Sequence, residues 1–188
     1  MNEQELTEKV YKWADILGVS RKRIKIEYEP TKKRSVHFPF GMDEDDSPAL
    51  PSIIVFGNNV DKKIGDHVIV HELLHEKYEK EKFSYFPITE LPKDYIERFE
   101  HGLMFDRREK AHQFLYERFL DALALEYTPE LEKEFGEYRC CKEETKHICE
   151  KIIKLSKTCK GQKNKEKCVE SGVLDMLHNK DFDVVLGV

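Results

Sequence analysis

Apolar residues recur at helical spacing from about Glu3 to Leu17 (Leu6, Val10, Trp13, Ile16, Leu17), and Gly18 stops the run. The period then shortens to two. Ile24, Ile26 and Tyr28 alternate with polar neighbours between Arg23 and Glu29, the pattern of a half-buried strand. Ser35 to Phe40 predicts a second short strand, and Pro51 to Phe56 a buried one closed by Gly57-Asn58-Asn59. Between them, Gly41 to Pro51 carries Asp43-Glu44-Asp45-Asp46 and two prolines, which predicts a solvated loop. Asp61 stands where it would cap a helix running to about Lys80.

Glu81 to Asp106 reads as loop, with Pro87 and Pro92 and one short helix near Lys93 to Glu100. A strong helix follows from Arg107 to Tyr127, ended by Thr128-Pro129. Glu130 to Phe135, Glu137 to Thr158 and Lys165 to His178 predict further helices, and the tail from Asp181 is left without an element. Helix, a few strands, two long helices and a helical tail make an α+β chain with its strands on one side. We divide it into a core, residues 1–128, and a helical C-terminal extension, residues 129–188.

The chemistry concentrates in His71-Glu72-Leu73-Leu74-His75, preceded by Val68-Ile69-Val70. Residues four apart on a helix sit about 40° apart round the axis and roughly 6 Å along it, so two imidazoles can grip one metal ion. Glu72 lies about 100° away, where a carboxylate reaches a water on that ion without ligating it. His67 extends the row, but the outer pair of three such residues is about 12 Å apart and cannot converge. His67 is therefore expected to be a buried packing residue.

Catalytic zinc usually takes three protein ligands and leaves a fourth position for water. Glu117-Arg118-Phe119-Leu120-Asp121 offers two acids one turn apart, set among Phe114, Leu115, Ala122, Leu123 and Leu125. A helix this apolar is buried on most sides, and buried carboxylates need a partner or a metal. Glu117 as third ligand and Asp121 as acceptor for a liganding histidine's N–H would satisfy both. Ion pairing with Arg118 or another basic residue is the competing reading. Glu109, His101 and His112 are the alternatives for the third ligand, and Tyr85, Tyr95 and Tyr127 are candidates for polarising a carbonyl.

H-E-x-x-H followed by E-x-x-x-D on a second helix resembles the gluzincin group of zinc metallopeptidases, over about Ser52 to Tyr127. The resemblance implies a small zincin-like core of N-terminal helix, short and mostly antiparallel sheet, pentad helix and third-ligand helix. It implies Zn2+ on His71, His75 and Glu117, Glu72 as catalytic base, and Asp121 orienting a histidine. Glu76 and Lys77 depart from the pattern, which favours uncharged residues there. A metzincin continuation is absent, since positions 78 and 81 are Tyr and Glu.

Composition bounds the rest. Charged residues make up 37% and hydrophobic ones 39%, with Lys and Glu dominant, a bias that suits ion-pair networks and heat-adapted proteins. A net charge of -5 gives no reason to expect nucleic acid as a partner. No apolar run reaches the length of a membrane span and Met1-Asn2-Glu3-Gln4-Glu5 is no signal peptide, so a cytoplasmic protein is expected. Five cysteines (140, 141, 149, 159, 168) are then expected to be mainly buried free thiols. If one bridge forms, Cys159 to Cys168 is the pair, across a hairpin turn between helices.

The expected activity is hydrolysis of a peptide or protein substrate by a metal-activated water. The strand at Ser52 to Phe56 would pair with an extended substrate if it lay at the sheet edge, and residues 81 to 106 would wall the cleft. The rivals are a non-catalytic zincin-like regulatory or partner-binding domain with a structural or lost metal, and a helical interaction protein whose pentad is accidental.

Overall fold

The chain folds as two units, Met1–Lys80 and Glu81–Val188. The computed structural model describes residues 1–39, 51–99, 107–140 and 142–186. The loop expected over 41–50 lies outside the described residues, as do His101 and Cys141. Among the described residues no helix is long and apolar enough to cross a membrane.

In the first unit, helix α1 spans Glu3–Leu17. A capping box opens it: the Asn2 side chain accepts from the Glu5 N–H and the Glu5 carboxylate accepts from the Asn2 N–H. Gly18, at φ 71°, closes it in the left-handed conformation that a side chain would strain. Leu6, Val10, Ala14 and Leu17 form the buried stripe, while Ile16 faces solvent. This stripe packs on the second helix of the unit.

Strands β1 (Ile24–Tyr28), β2 (Val36–Phe38) and β3 (Ser52–Phe56) form one sheet in the order β1-β3-β2. β3 runs parallel to β1 and antiparallel to β2. The sheet is thus mixed, where a mostly antiparallel one was expected. β3 is central, which explains its unbroken apolar run, Ile53-Ile54-Val55-Phe56, since a central strand is covered on both faces. It also removes β3 as a partner for an extended substrate, because both its edges are taken by β1 and β2.

Helix α2 spans Gly65–Tyr78 and buries every residue except Asp66 and Lys77. Its start is set by packing, not by a side-chain cap. A Cβ on Gly65 would lie 2.1 Å from the Val60 carbonyl oxygen, so only glycine allows this approach. Asp61, expected as the cap, instead accepts from the Tyr28 hydroxyl at 2.6 Å and pairs with the Met1 amino group at 3.3 Å.

The second unit is helical: α3 (Lys93–Arg98), α4 (Arg107–Tyr127), α5 (Glu132–Arg139), α6 (Lys146–Cys159), α7 (Lys165–His178) and α8 (Asp183–Leu186). α6 and α7 both pack on α4, so the residues read as a C-terminal extension share one core with it. α6 contributes Ile148, Cys149, Ile152, Ser156 and Cys159, and α7 contributes Val169, Val173, Met176 and Leu177.

The cysteine expectation needs correcting. Cys159–Cys168 is bridged as anticipated, and Cys140–Cys149 is bridged as well. The Cys140–Cys149 bridge is also incompatible with the single long helix expected from Glu137 to Thr158. Nine residues of straight helix rise about 13.5 Å, whereas the Cys140 and Cys149 Cα atoms are 6.2 Å apart. The chain therefore turns back between α5 and α6.

Candidate metal centre

The histidines and Glu72 of the pentad lie on α2, in the first unit. His71 and His75 are buried, and their ring centroids lie 5.0 Å apart, edge to face. Two imidazoles on one tetrahedral zinc, with N–Zn bonds of about 2.0–2.1 Å, place their centroids about 5 Å apart. The pair therefore fits one metal ion. His67 is buried one turn earlier, its ring 6.3 Å from that of His71.

Glu72 is 7% exposed and forms no hydrogen bond or ion pair with any described residue. Its carboxylate oxygens keep contact with solvent, so a water can stand beside them. On this helix it stands between the two histidines in sequence, about 100° round the axis from His71 and about 60° from His75.

Glu76 and Lys77, the two departures from the metallopeptidase pattern, have local reasons inside the first unit. The Lys77 ammonium donates to the Leu17 carbonyl at 3.0 Å, at the C-terminal end of α1, where a cation complements the helix dipole. Glu76 is 2% exposed and holds two partners. Its Oε1 meets Arg23 at 2.7 Å and its Oε2 accepts from His37 Nε2 at 3.2 Å. Burial works to raise the Glu76 carboxyl, but hydrogen bonds from His37 and Ser52 and the charges of Arg23 and His37 outweigh it and hold it below the usual range.

The linkage follows from that sign. A carboxyl depressed in the folded state stabilises above its unfolded value of about 4.3 and loses that contribution as pH falls through the folded one. Glu76→Gln is expected to cost about 3 kcal/mol at pH 7, the low end for a broken buried pair because Arg23 is half exposed. Urea unfolding at pH 7 and pH 3 checks it: the penalty should shrink markedly at pH 3. An equal penalty at both would contradict the assignment.

His37 received no functional weight from the sequence, yet its ring stacks on His75 at 5.8 Å between centroids. The signal was present in inverted form. Val36 and Phe38 flank it at 41% and 47% exposed, so β2 turns its apolar side chains outward and its histidine inward.

Compared with known proteins, the chain matches no family model, no curated protein and no solved structure. The chemistry has to be argued from its own residues.

Glu117 and Asp121 lie on α4, in the second unit. Glu117 is half-buried, and its Oε1 accepts from the Gln113 side chain one turn earlier. Asp121, one turn later, is 1% exposed. Its Oδ2 meets Arg118 at 3.2 Å and its Oδ1 meets Arg139 of α5 at 3.2 Å. The competing reading of Asp121 as an ion-pair member is thus realised, and the second arginine comes from another helix. Each carboxylate oxygen offers two lone pairs, so this pairing leaves room for a further donor.

The alternatives for the third ligand fare less well. Glu109 is exposed. His112 is buried, with Nε2 at 3.2 Å from the Lys82 carbonyl and 3.0 Å from that of Tyr85, which occupies that nitrogen as a donor. Burial also pushes its pKa down, against the two carbonyls that pull it up. Of the tyrosines, Tyr127 receives the Lys165 ammonium at 3.2 Å. Burial raises the hydroxyls of Tyr85 and Tyr95 well above the usual phenol value, so both stay protonated.

Proposed function

We propose that this chain is a zinc-dependent metallopeptidase of zincin-like design, with the ion held by His71, His75 and Glu117 and with Glu72 as general base. The observation that carries the reading is Glu72, whose carboxylate has no hydrogen bond or ion pair with a described residue and lies on the helix of two imidazoles spaced for one tetrahedral ion. A zinc ion so held would lower the pKa of a bound water and polarise the substrate carbonyl.

The protein's own residues do the rest. Glu72 takes the proton from the attacking water and passes it to the leaving amine, a transfer that a carboxylate free of other partners is able to make. Asp121 accepts from a liganding histidine's outer N–H and fixes its tautomer, with Arg118 and Arg139 keeping the carboxylate charged. Gln113 donates to one oxygen of Glu117 and so helps to orient the carboxylate. The α2 helix is rigid because almost all of it is buried, which suits a site that must hold its ligands within a few tenths of an ångström.

The test is metal content together with hydrolysis. The purified protein should bind one zinc per chain and cleave an unfolded substrate such as casein, with activity lost to a chelator and restored by Zn2+. Glu117→Gln should weaken zinc binding by more than the roughly 10–100-fold that loss of an outer hydrogen-bond partner costs. Absence of zinc uptake would refute the metal site, and unchanged affinity in Glu117→Gln would remove that residue as ligand.

A further inference from the structure

We propose that the Cys140–Cys149 disulfide is a redox latch on the Arg139–Asp121 ion pair, with Arg139 acting as the positioning residue for the buried carboxylate. Arg139 is the last residue of α5 and Cys140 follows it directly. α5 is eight residues long and buries only Phe135, too little to fix its C-terminal end by itself. The bridge fixes that end to Cys149 in the first turn of α6, and α6 packs along α4. The Arg139 guanidinium is thereby delivered to Asp121, eighteen residues earlier in the chain. Lys157 of α6 pairs with Glu132 at 2.7 Å and holds the opposite end of α5, so the bridge is the covalent half of a two-point attachment.

The two bridges are not equivalent. Each joins cysteines nine positions apart and pairs one half-buried residue, Cys140 or Cys168, with one buried residue, Cys149 or Cys159. Cys149 and Cys159 lie about 15 Å apart along α6, and only the first bridge adjoins the arginine that reaches Asp121. The second supplies an internal control.

Opening the latch needs a dithiol reductant. Its thiolate attacks the Cys140 sulfur, the S–S bond breaks, and Cys149 leaves as a thiolate that takes up a proton. The reductant's second thiolate then attacks the mixed disulfide and frees Cys140, which is protonated in turn. Two electrons have passed to the cystine, and the reductant departs as its own disulfide. A disulfide oxidant reverses the sequence.

This inference goes beyond the metallopeptidase reading and does not need it, because it is tested on the metal-free full chain. A double-mutant cycle of Arg139→Met and Asp121→Asn on Tm should show strong non-additivity in the oxidised protein. In the Cys140→Ser/Cys149→Ser background the coupling should vanish, and in Cys159→Ser/Cys168→Ser it should persist. Equal coupling in all three would overturn the proposal. Should the first serine pair fail to fold, wild-type protein answers the same question through the Arg139 side-chain Nε–H resonance. Its loss from the slowly exchanging set as dithiothreitol opens the first bridge supports the latch, and its persistence after that opening overturns it. Arg139→Lys, which keeps the charge without the planar fork, should restore part of the Tm lost in Arg139→Met only while the bridge is closed.

Discussion

Glu72→Gln should keep zinc and lose hydrolysis, with kcat down by about 10²–10⁴-fold, the usual worth of a positioned general acid or base. The amide has the shape of the carboxylate, so the helix should be undisturbed. It cannot accept a proton from water at neutral pH. The fold should tolerate the change, because no hydrogen bond or ion pair of Glu72 with a described residue is lost. The variant should therefore be about as stable as wild type. Casein cleavage, zinc content and thermal unfolding measured on the same preparation decide the matter. Cleavage within a few-fold of wild type, with zinc bound, would take Glu72 out of its assigned role.

The largest stability effect is expected at Asp121. Replacing it with Asn in the metal-free protein leaves Arg118 and Arg139 without their shared counter-charge, and breaking a buried pair costs about 3–5 kcal/mol. The two arginine side chains are 20% and 27% exposed, so water recovers part of the loss and the lower figure is the better expectation. Against a total stability of about 5–15 kcal/mol that is a large fraction. Tm should fall by roughly 10 °C. Circular dichroism on the apo protein measures it without any contribution from zinc. A shift below 2 °C would mean that the arginines find water as good a partner as the carboxylate. Both arginines keep a ring contact, Arg118 over Phe114 at 5.2 Å and Arg139 over Tyr138 at 5.7 Å.

The elements that were legible in the sequence are those whose residues answer only to near neighbours. α1, α4 and α7 begin and end where periodicity and punctuation placed them, at Glu3 and Leu17, Arg107 and Tyr127, Lys165 and His178. The misplacements share one cause, a distant partner. Asp61 had the right residue type for a cap and was captured by Tyr28 and Met1. The run from Glu137 to Thr158 had helical spacing throughout and was interrupted by a covalent bond between its own cysteines. The strand at Ser52 to Phe56 was recognised, but its neighbours could not be read from it, and a central place in a mixed sheet excludes the substrate pairing that an edge would have allowed.

The same division runs through the candidate site. The pentad is legible because a helix fixes the geometry of positions four apart whatever surrounds it, and His71, Glu72 and His75 follow from spacing alone. Glu117 and Asp121 stood out because charges on an apolar helix demand an explanation. What the sequence could not supply was which demand each acid answers. That Glu72 has no partner among the described residues, that Glu76 is claimed by His37 and Arg23, and that Asp121 is shared between Arg118 and an arginine from another helix were decided by tertiary structure. The reason is physical. Periodicity encodes which side of an element is buried, whereas the partner of a buried charge is whichever opposite charge the folded backbone carries to within about 3 Å of it.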